Sequence, residues 1–413
     1  MNFLRQTIAT CTYDLRSLSK WDAGFVLFWF AGPLLYLIER TPADIWLSLI
    51  GIGFIAHSTR ANEWEWLRAG WVRFTGLFWA IALVGAAISV NPLYSLGEAV
   101  AWIRFPLYAA ACMFWLGANR NRLVMMLMMM AVAVVIMSGF LITEFAANFA
   151  LNPNAKTRLG GPYGDLVPGG FIGKAMMPLA MVMAAIAIGR PIRQGLLMGL
   201  FAGAMVGVVI ITGERMNSVL LCLSVFLASV AWVIRPARVI QYGSLAFIGL
   251  AVLFMALPNV GDRFWSSQNQ ETSDYFNSSY WFSVRPGIVA ALDNPVTGIG
   301  VGMHRKLCED IPHGPDWLVG ENNCHPHPHQ FYVQLAEETG IFGFLAGIAM
   351  IGAIIIAAAR GRRNNTLFSR LAWIPPALMF MPQPSADFFG QWNNLFLWFA
   401  VGLALAMARD KST

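Results

Sequence analysis

The sequence predicts an all-helical, polytopic membrane protein. Hydrophobic residues make up 57% of the 413 and charged residues only 12%, against roughly 25% charged in an ordinary soluble domain. The mean hydropathy is +0.57. The apolar residues also gather into runs near the length of about 20 residues that a helix needs to cross a bilayer.

Twelve candidate spans can be read along the chain, at roughly 22–39, 43–58, 74–91, 97–117, 122–146, 169–189, 195–212, 217–234, 239–257, 341–359, 367–382 and 389–408. Several contain Gly or Pro, which spans tolerate. The stretch before the first run, MNFLRQTIATCTYDLRSLSK, is polar and basic, so that run reads as a span rather than a cleaved leader. With the N-terminus in the cytoplasm and the spans alternating, every cytoplasmic segment carries at least two Lys or Arg, as at Arg60, Arg68 and Arg73 or at Arg360, Arg362 and Arg363. That bias sets orientation in membrane proteins. It divides the chain into nine spans over 1–257, one large external loop over 258–328, and three spans over 329–413 followed by a cytoplasmic C-terminus. The net charge of +6 is spread between apolar segments, with no basic run longer than RGRR at 360–363. This is the pattern of loop charges, not of a nucleic-acid site.

A loop as long as 258–328 is usually functional or disordered, and its Trp, Phe and Tyr content argues that it folds. Five of the six histidines, 304, 313, 325, 327 and 329, lie in it or at its end. It also holds Cys308 and Cys324. In an oxidising compartment these two can form a disulfide, closing a loop of about 17 residues for around 3 kcal/mol in the chain-entropy model.

The chemistry-bearing residues cluster in ENNCHPHPHQFYVQLAEETGIFG, residues 321–343. In an extended segment His325, His327 and His329 point to one side, and three imidazoles suit Zn²⁺. No carboxylate is placed as an obvious fourth ligand, and a helix beginning at His329 would break the alternation, so polar loop histidines are expected over a metal site. A helix starting at His329 puts Gln330, Gln334 and Glu338 on one face, with Gly340 and Gly343 permitting a bend before the span. Arg215, in IITGERMNSVL, sits in a short external turn beside Glu214; an arginine at that depth needs an anionic partner or ligand. Arg285 precedes ALDNPVTGIGVG, whose glycines would let backbone approach a ligand or another segment. Arg158, in TRLGGPYGD, and Lys174 are weaker cationic candidates.

ALDNPVTGIGVG (291–302) followed by HPHQFYVQLAEETGIFG (327–343) resembles the O-antigen ligase and polymerase superfamily. There a P-x-x-G-x-G element precedes H-N-x-x-L-Q-x-x-x-E-x-G-x-x-G. Arg215 in TGERM is similar to the arginine of that family's turn. Two departures stand out: Gln330 replaces the usual Asn, and the turn reads Gly-Glu-Arg-Met. The resemblance implies a GT-C-like architecture of about twelve spans with one large periplasmic loop. It places the protein in a bacterial inner membrane, with the active site facing the periplasm and both termini cytoplasmic. It further implies glycosyl transfer from an undecaprenyl-pyrophosphate-linked glycan to lipid A–core, the ligase reaction, with membrane lipids around it. The polymerase reaction joins undecaprenyl-linked repeat units instead. The short tail MARDKST disfavours a third, protein-glycosylating branch.

The mechanism this implies needs no cofactor. The external loop carries no Asp-x-Asp metal motif, so Arg215 and Arg285 are expected to bind the pyrophosphate bidentately. His329 is expected to act as the general base on the acceptor hydroxyl, giving inversion. Glu338, His327, Gln334 and Arg158 are expected to support it. A rival reading, an anion transporter, calls for ionisable residues deep in spans and for repeat symmetry. Few charges beyond Arg104 and Lys174 stand at midspan, and there is no convincing internal repeat.

Overall fold

The computed structural model describes residues 16, 19–151, 159–163, 168–189, 192–231, 279–309, 325–383 and 387–411. Among them the fold is entirely helical. The N-terminal part contains α1 (Lys20–Leu35), α2 (Arg40–Ala61), α3 (Gly70–Ala87), α4 (Pro92–Trp102), α5 (Arg104–Ala111) and α6 (Arg120–Leu151). Next come α7 (Pro168–Gly189), α8 (Ile192–Ile211), α9 (Arg215–Ala231), α10 (Ser279–Asp293) and α11 (Met303–Glu309). The chain closes with α12 (Phe331–Arg360), α13 (Leu367–Leu371), α14 (Ile374–Met379) and α15 (Gln391–Ala408). Capping residues start several of them: Ser19 accepts from the Asp22 N–H, Asn91 from that of Tyr94, and Thr366 forms a capping box with Ser369. Such caps satisfy N–H groups that the first turn leaves without partners.

Five helical stretches are long and apolar enough to cross a membrane: Gly70–Ala87, Pro92–Leu116, Arg120–Leu151, Gly169–Ala187 and Phe331–Asn364. Gly195–Ile211 and Arg215–Ala231 are shorter apolar helices. Helices α1, α2 and α15 fall on the expected runs at 22–39, 43–58 and 389–408, and the run at 239–257 lies outside the described residues. Two runs differ in kind. The run at 367–382 is two short helices, α13 and α14, because Pro375 and Pro376 supply no N–H and restart the helix at its first turn. The run at 97–117 breaks at Ile103 between α4 and α5 and ends in a π-helical stretch, Cys112–Leu116.

The break at Ile103 coincides with a charge. Arg104 donates to both carboxylate oxygens of Asp44 on α2, at 2.7 and 3.0 Å, and Gln391 donates to the same carboxylate at 2.5 Å. A midspan arginine is tolerable when bidentately paired in this way. Helix α15 is the central post, with every residue from Asn393 to Ala408 buried. Aromatic side chains from α1, α2, α5 and α7 close around it. Tyr36 stacks on Phe171 at 5.2 Å and meets Phe399 at 5.2 Å, while Trp46 meets Tyr108 at 5.1 Å. The Tyr36 hydroxyl donates to the Leu395 carbonyl.

Candidate functional site: the kinked helix and its glycine loop

Helix α12 is interrupted at Gly340, where φ is +63° and ψ −172°. In an unbroken helix the Glu337 and Glu338 carbonyls would accept from the N–H groups four residues on. Here the Ile341 N–H donates instead to the Pro295 carbonyl at 2.8 Å. The Glu337 and Glu338 carbonyls accept from the Ile299 and Gly300 N–H groups at 2.8 and 3.1 Å. The glycine-rich run of 298–302 is thus laced onto the kink, and the segment its glycines admit is the protein's own helix. A β-carbon on Gly298, where φ is +67°, would stand 2.5 Å from the Thr339 nitrogen.

The lacing gathers polar side chains in the first turns of α12. Gln334, Glu337 and Glu338 are 2%, 0% and 1% exposed. Glu338 accepts from the Gly302 N–H at 2.8 Å and from the Gln334 amide at 3.4 Å. Gln334 donates to Asp387 at 2.6 Å and accepts from the Phe388 N–H at 2.7 Å. Arg305 on α11 pairs with Asp387. His304, also on α11, holds Glu337 Oε1 at 2.6 Å through Nδ1 and the His325 carbonyl at 3.1 Å through Nε2. Burial opposes the charged form of His304, but the Glu337 carboxylate, the His325 carbonyl and Asp387 outweigh it and raise its pKa above the ordinary histidine value.

The three alternating histidines adjoin this network. The His327 and His329 rings are 4.3 Å apart and the His325 and His329 rings 5.2 Å apart. His329 has φ +51°, a left-handed backbone that costs a residue with a side chain about 1–3 kcal/mol and clusters at functional sites. It does not begin the helix, as the sequence suggested. Gln330 is the N-cap, its side-chain oxygen accepting from the Tyr332 N–H at 2.6 Å, and the helix starts at Phe331. The expected polar face is therefore Gln334 and Glu338, with Gln330 spent on the cap. His327 Nε2 is buried without a hydrogen-bond partner among the described residues. Burial, then the charge of His329, holds the His327 imidazole down to about 4. Among the described residues no group of three or more His, Cys, Asp or Glu is placed to hold a metal ion.

The other expected site residues fall as follows. Arg215 opens α9 immediately after the turn Thr212–Gly213–Glu214. Gly169 of α7 packs against the Glu214 side chain, and Glu214 stands within electrostatic reach of Lys174. Arg285 lies on the exposed side of α10, whereas Gly287 of the same helix packs beneath Glu337, Val333 and Pro328. Neither Arg215 nor Arg285 has an ion-pair or hydrogen-bond partner among the described residues. The structure joins Glu338 and Gln334 directly and packs His327 against His329; no contact among the described residues links either arginine to the histidines. Arg158 and Cys324 lie outside the described residues, as does the side chain of Cys308.

His304, Glu337, Arg305 and Asp387 escaped sequence reasoning. A signal existed for the first two: a His-Arg pair directly after the glycine run, and a second Glu beside Glu338. Nothing local marks Asp387, which reaches the site only because α15 packs behind α12.

A family model described as O-antigen ligase matches residues 200–348. Over this segment the chain is similar to that family. The match spans the Arg215 turn, Arg285, the glycine loop, the histidines and the kink at Gly340. Asp387, which bonds into that site, and the separate Asp44–Arg104–Gln391 cluster fall beyond it. No curated protein matches the chain. The match supports a glycosyltransferase-like role, and five helices are long and apolar enough to cross a membrane.

Proposed function

We propose that the protein is an O-antigen ligase. It transfers a polysaccharide from undecaprenyl pyrophosphate to lipid A–core on the periplasmic face of the inner membrane. The observation that carries the reading is the histidine cluster held two residues before a 30-residue apolar helix, with His329 fixed in a left-handed backbone. A base in that place meets a lipid-linked sugar at the membrane edge.

The acceptor hydroxyl oxygen attacks the anomeric carbon as its proton passes to the His329 imidazole. The bond from that carbon to the pyrophosphate oxygen breaks, and the bonding pair leaves with the pyrophosphate. Attack from the opposite side inverts the configuration. The leaving group carries roughly two to three negative charges. Arg215 and Arg285, two cations with no protein partner among the described residues, take it by bidentate hydrogen bonds. An apolar groove of about 420 Å³, lined by Ile81, Val84, Val296 and Phe342, adjoins the glycine loop and suits a hydrocarbon chain.

The test uses purified protein in detergent, undecaprenyl-pyrophosphate-linked glycan and lipid A–core, with EDTA present. Transfer that survives EDTA and is lost in His329→Ala supports the reading. Loss on chelation, restored by Zn²⁺, would make the histidines metal ligands. Lengthening of the lipid-linked glycan, with none reaching lipid A–core, would make the protein a polymerase.

A further inference from the structure

We propose that His304 and Glu337 form a positioning pair that sets the orientation of His329, and that the pair works only while it holds its shared proton. The inference rests on the glycosyl-transfer reading.

The pair is closed off from solvent, His304 being 2% exposed and Glu337 0%. The His304 ring faces an oxygen at each end, Glu337 Oε1 at 2.6 Å and the His325 carbonyl at 3.1 Å. Each contact needs one hydrogen between the heavy atoms. A neutral imidazole beside a carboxylate has only one. Two are present when His304 is an imidazolium, or when Glu337 is protonated and His304 donates through Nε2. Removing the shared proton leaves lone pair facing lone pair at one end, a buried and costly mismatch.

The end that matters is the His325 carbonyl. Pro326 and Pro328 have no N–H and fix φ near −65°, so the stretch from His325 to His329 has two fewer donors with which to brace its own backbone. Contacts at its two ends help to set its course. One end is the His304–His325 contact. The other is the Gln330 cap, with Pro328 buried against Gly287. His329, with φ +51°, lies between them.

The groups facing the pair make the shared proton hard to lose. Asp387 before α15 favours the charged imidazole and pairs with Arg305 on α11, while Glu338 on α12 is taken up by the Gly302 N–H and the Gln334 amide. His327, held down to about 4, brings no competing positive charge at neutral pH. Losing the proton releases the His325 carbonyl, so turnover falls on the alkaline side while donor binding at Arg215 and Arg285 is untouched.

The experiment measures kcat and donor KM from about pH 6 to about pH 10 for wild type, Glu337→Gln and His304→Ala. In Glu337→Gln the amide donates to Nδ1 while Nε2–H still reaches the His325 carbonyl, so both contacts survive without a titrating proton. We expect near-normal kcat at neutral pH and no alkaline fall. In His304→Ala we expect kcat to drop about 100-fold, the scale of a misplaced catalytic group, with donor KM nearly unchanged. An alkaline fall in Glu337→Gln identical to wild type, or normal kcat in His304→Ala, would overturn the proposal. Histidine C2-proton exchange on wild type, read by mass spectrometry, gives the titration of His304 without any variant or activity. Titration above the ordinary value, about 6.5, supports the pair, and titration at or below it overturns the pair. Absence of transfer in wild type would instead sink the ligase reading and leave this last measurement standing.

Discussion

A β-carbon on Gly340 would lie 2.2 Å from the Val296 carbonyl oxygen, closer than any two such atoms can stand. The kink in the long apolar helix and the glycine loop are therefore one device: the helix opens where the loop arrives. Gly340→Ala is expected to destabilise the fold by more than the 1–3 kcal/mol that φ +63° alone costs, because the Val296–Thr297 backbone must also move. Gly352→Ala on the same helix, with open space around it, is expected to stabilise by about 0.5–1 kcal/mol. Thermal unfolding in detergent compares the two directly.

Asp387 accepts from Arg305, from the Gln334 amide and from the Phe389 N–H. Asp387→Asn removes the ion pair and should cost roughly 1–3 kcal/mol. Arg305→Gln should cost less, since Asp387 keeps its other two donors. A double-mutant cycle should then give a coupling of about 0.5–3 kcal/mol, as for residues in direct contact.

Arg215 and Arg285 contribute no ion pair to the fold among the described residues, so Arg215→Ala and Arg285→Ala should unfold within about 0.5 kcal/mol of wild type. If they hold pyrophosphate, each should lower kcat/KM by about 100-fold or more, the scale of a lost oxyanion donor. The lysine variants should recover only part, because an ammonium cannot bond two phosphate oxygens as a fork. Melting and transfer rate on the same samples separate the two effects.

Two histidines bend stability in opposite directions with pH. His304 has a raised pKa when folded, so its contribution is fully present below the ordinary value of about 6.5 and is lost as pH rises through the folded value. His327 is held down to about 4 when folded, so stability is lost as pH falls from about 6.5 towards that value. Unfolding midpoints should therefore peak near neutrality. His327→Gln should flatten the acid side and leave the alkaline side in place.

The sequence alone determined the helical class, the glycines of close approach and the turn before Arg215. Each is a local property: apolar run length, glycine spacing, or a short polar break between apolar runs. It read the glycines of 298–302 and Gly340 correctly as places of close approach, since only glycine fits there, but not that they approach one another. What only the tertiary structure decided is which polar groups meet. Glu337 and Glu338 are neighbours in sequence, yet one faces His304 and the other Gly302 and Gln334. That division follows from the loop lying across the kink. Asp387 meets Gln334 from 53 positions away, and Asp44 meets Arg104 from another helix. Partners so distant leave no periodic trace in the chain. They are chosen because a charge or amide buried beside apolar helices must find a complement, and only the packing of α12 against α15 and of α2 against α5 brings one within reach.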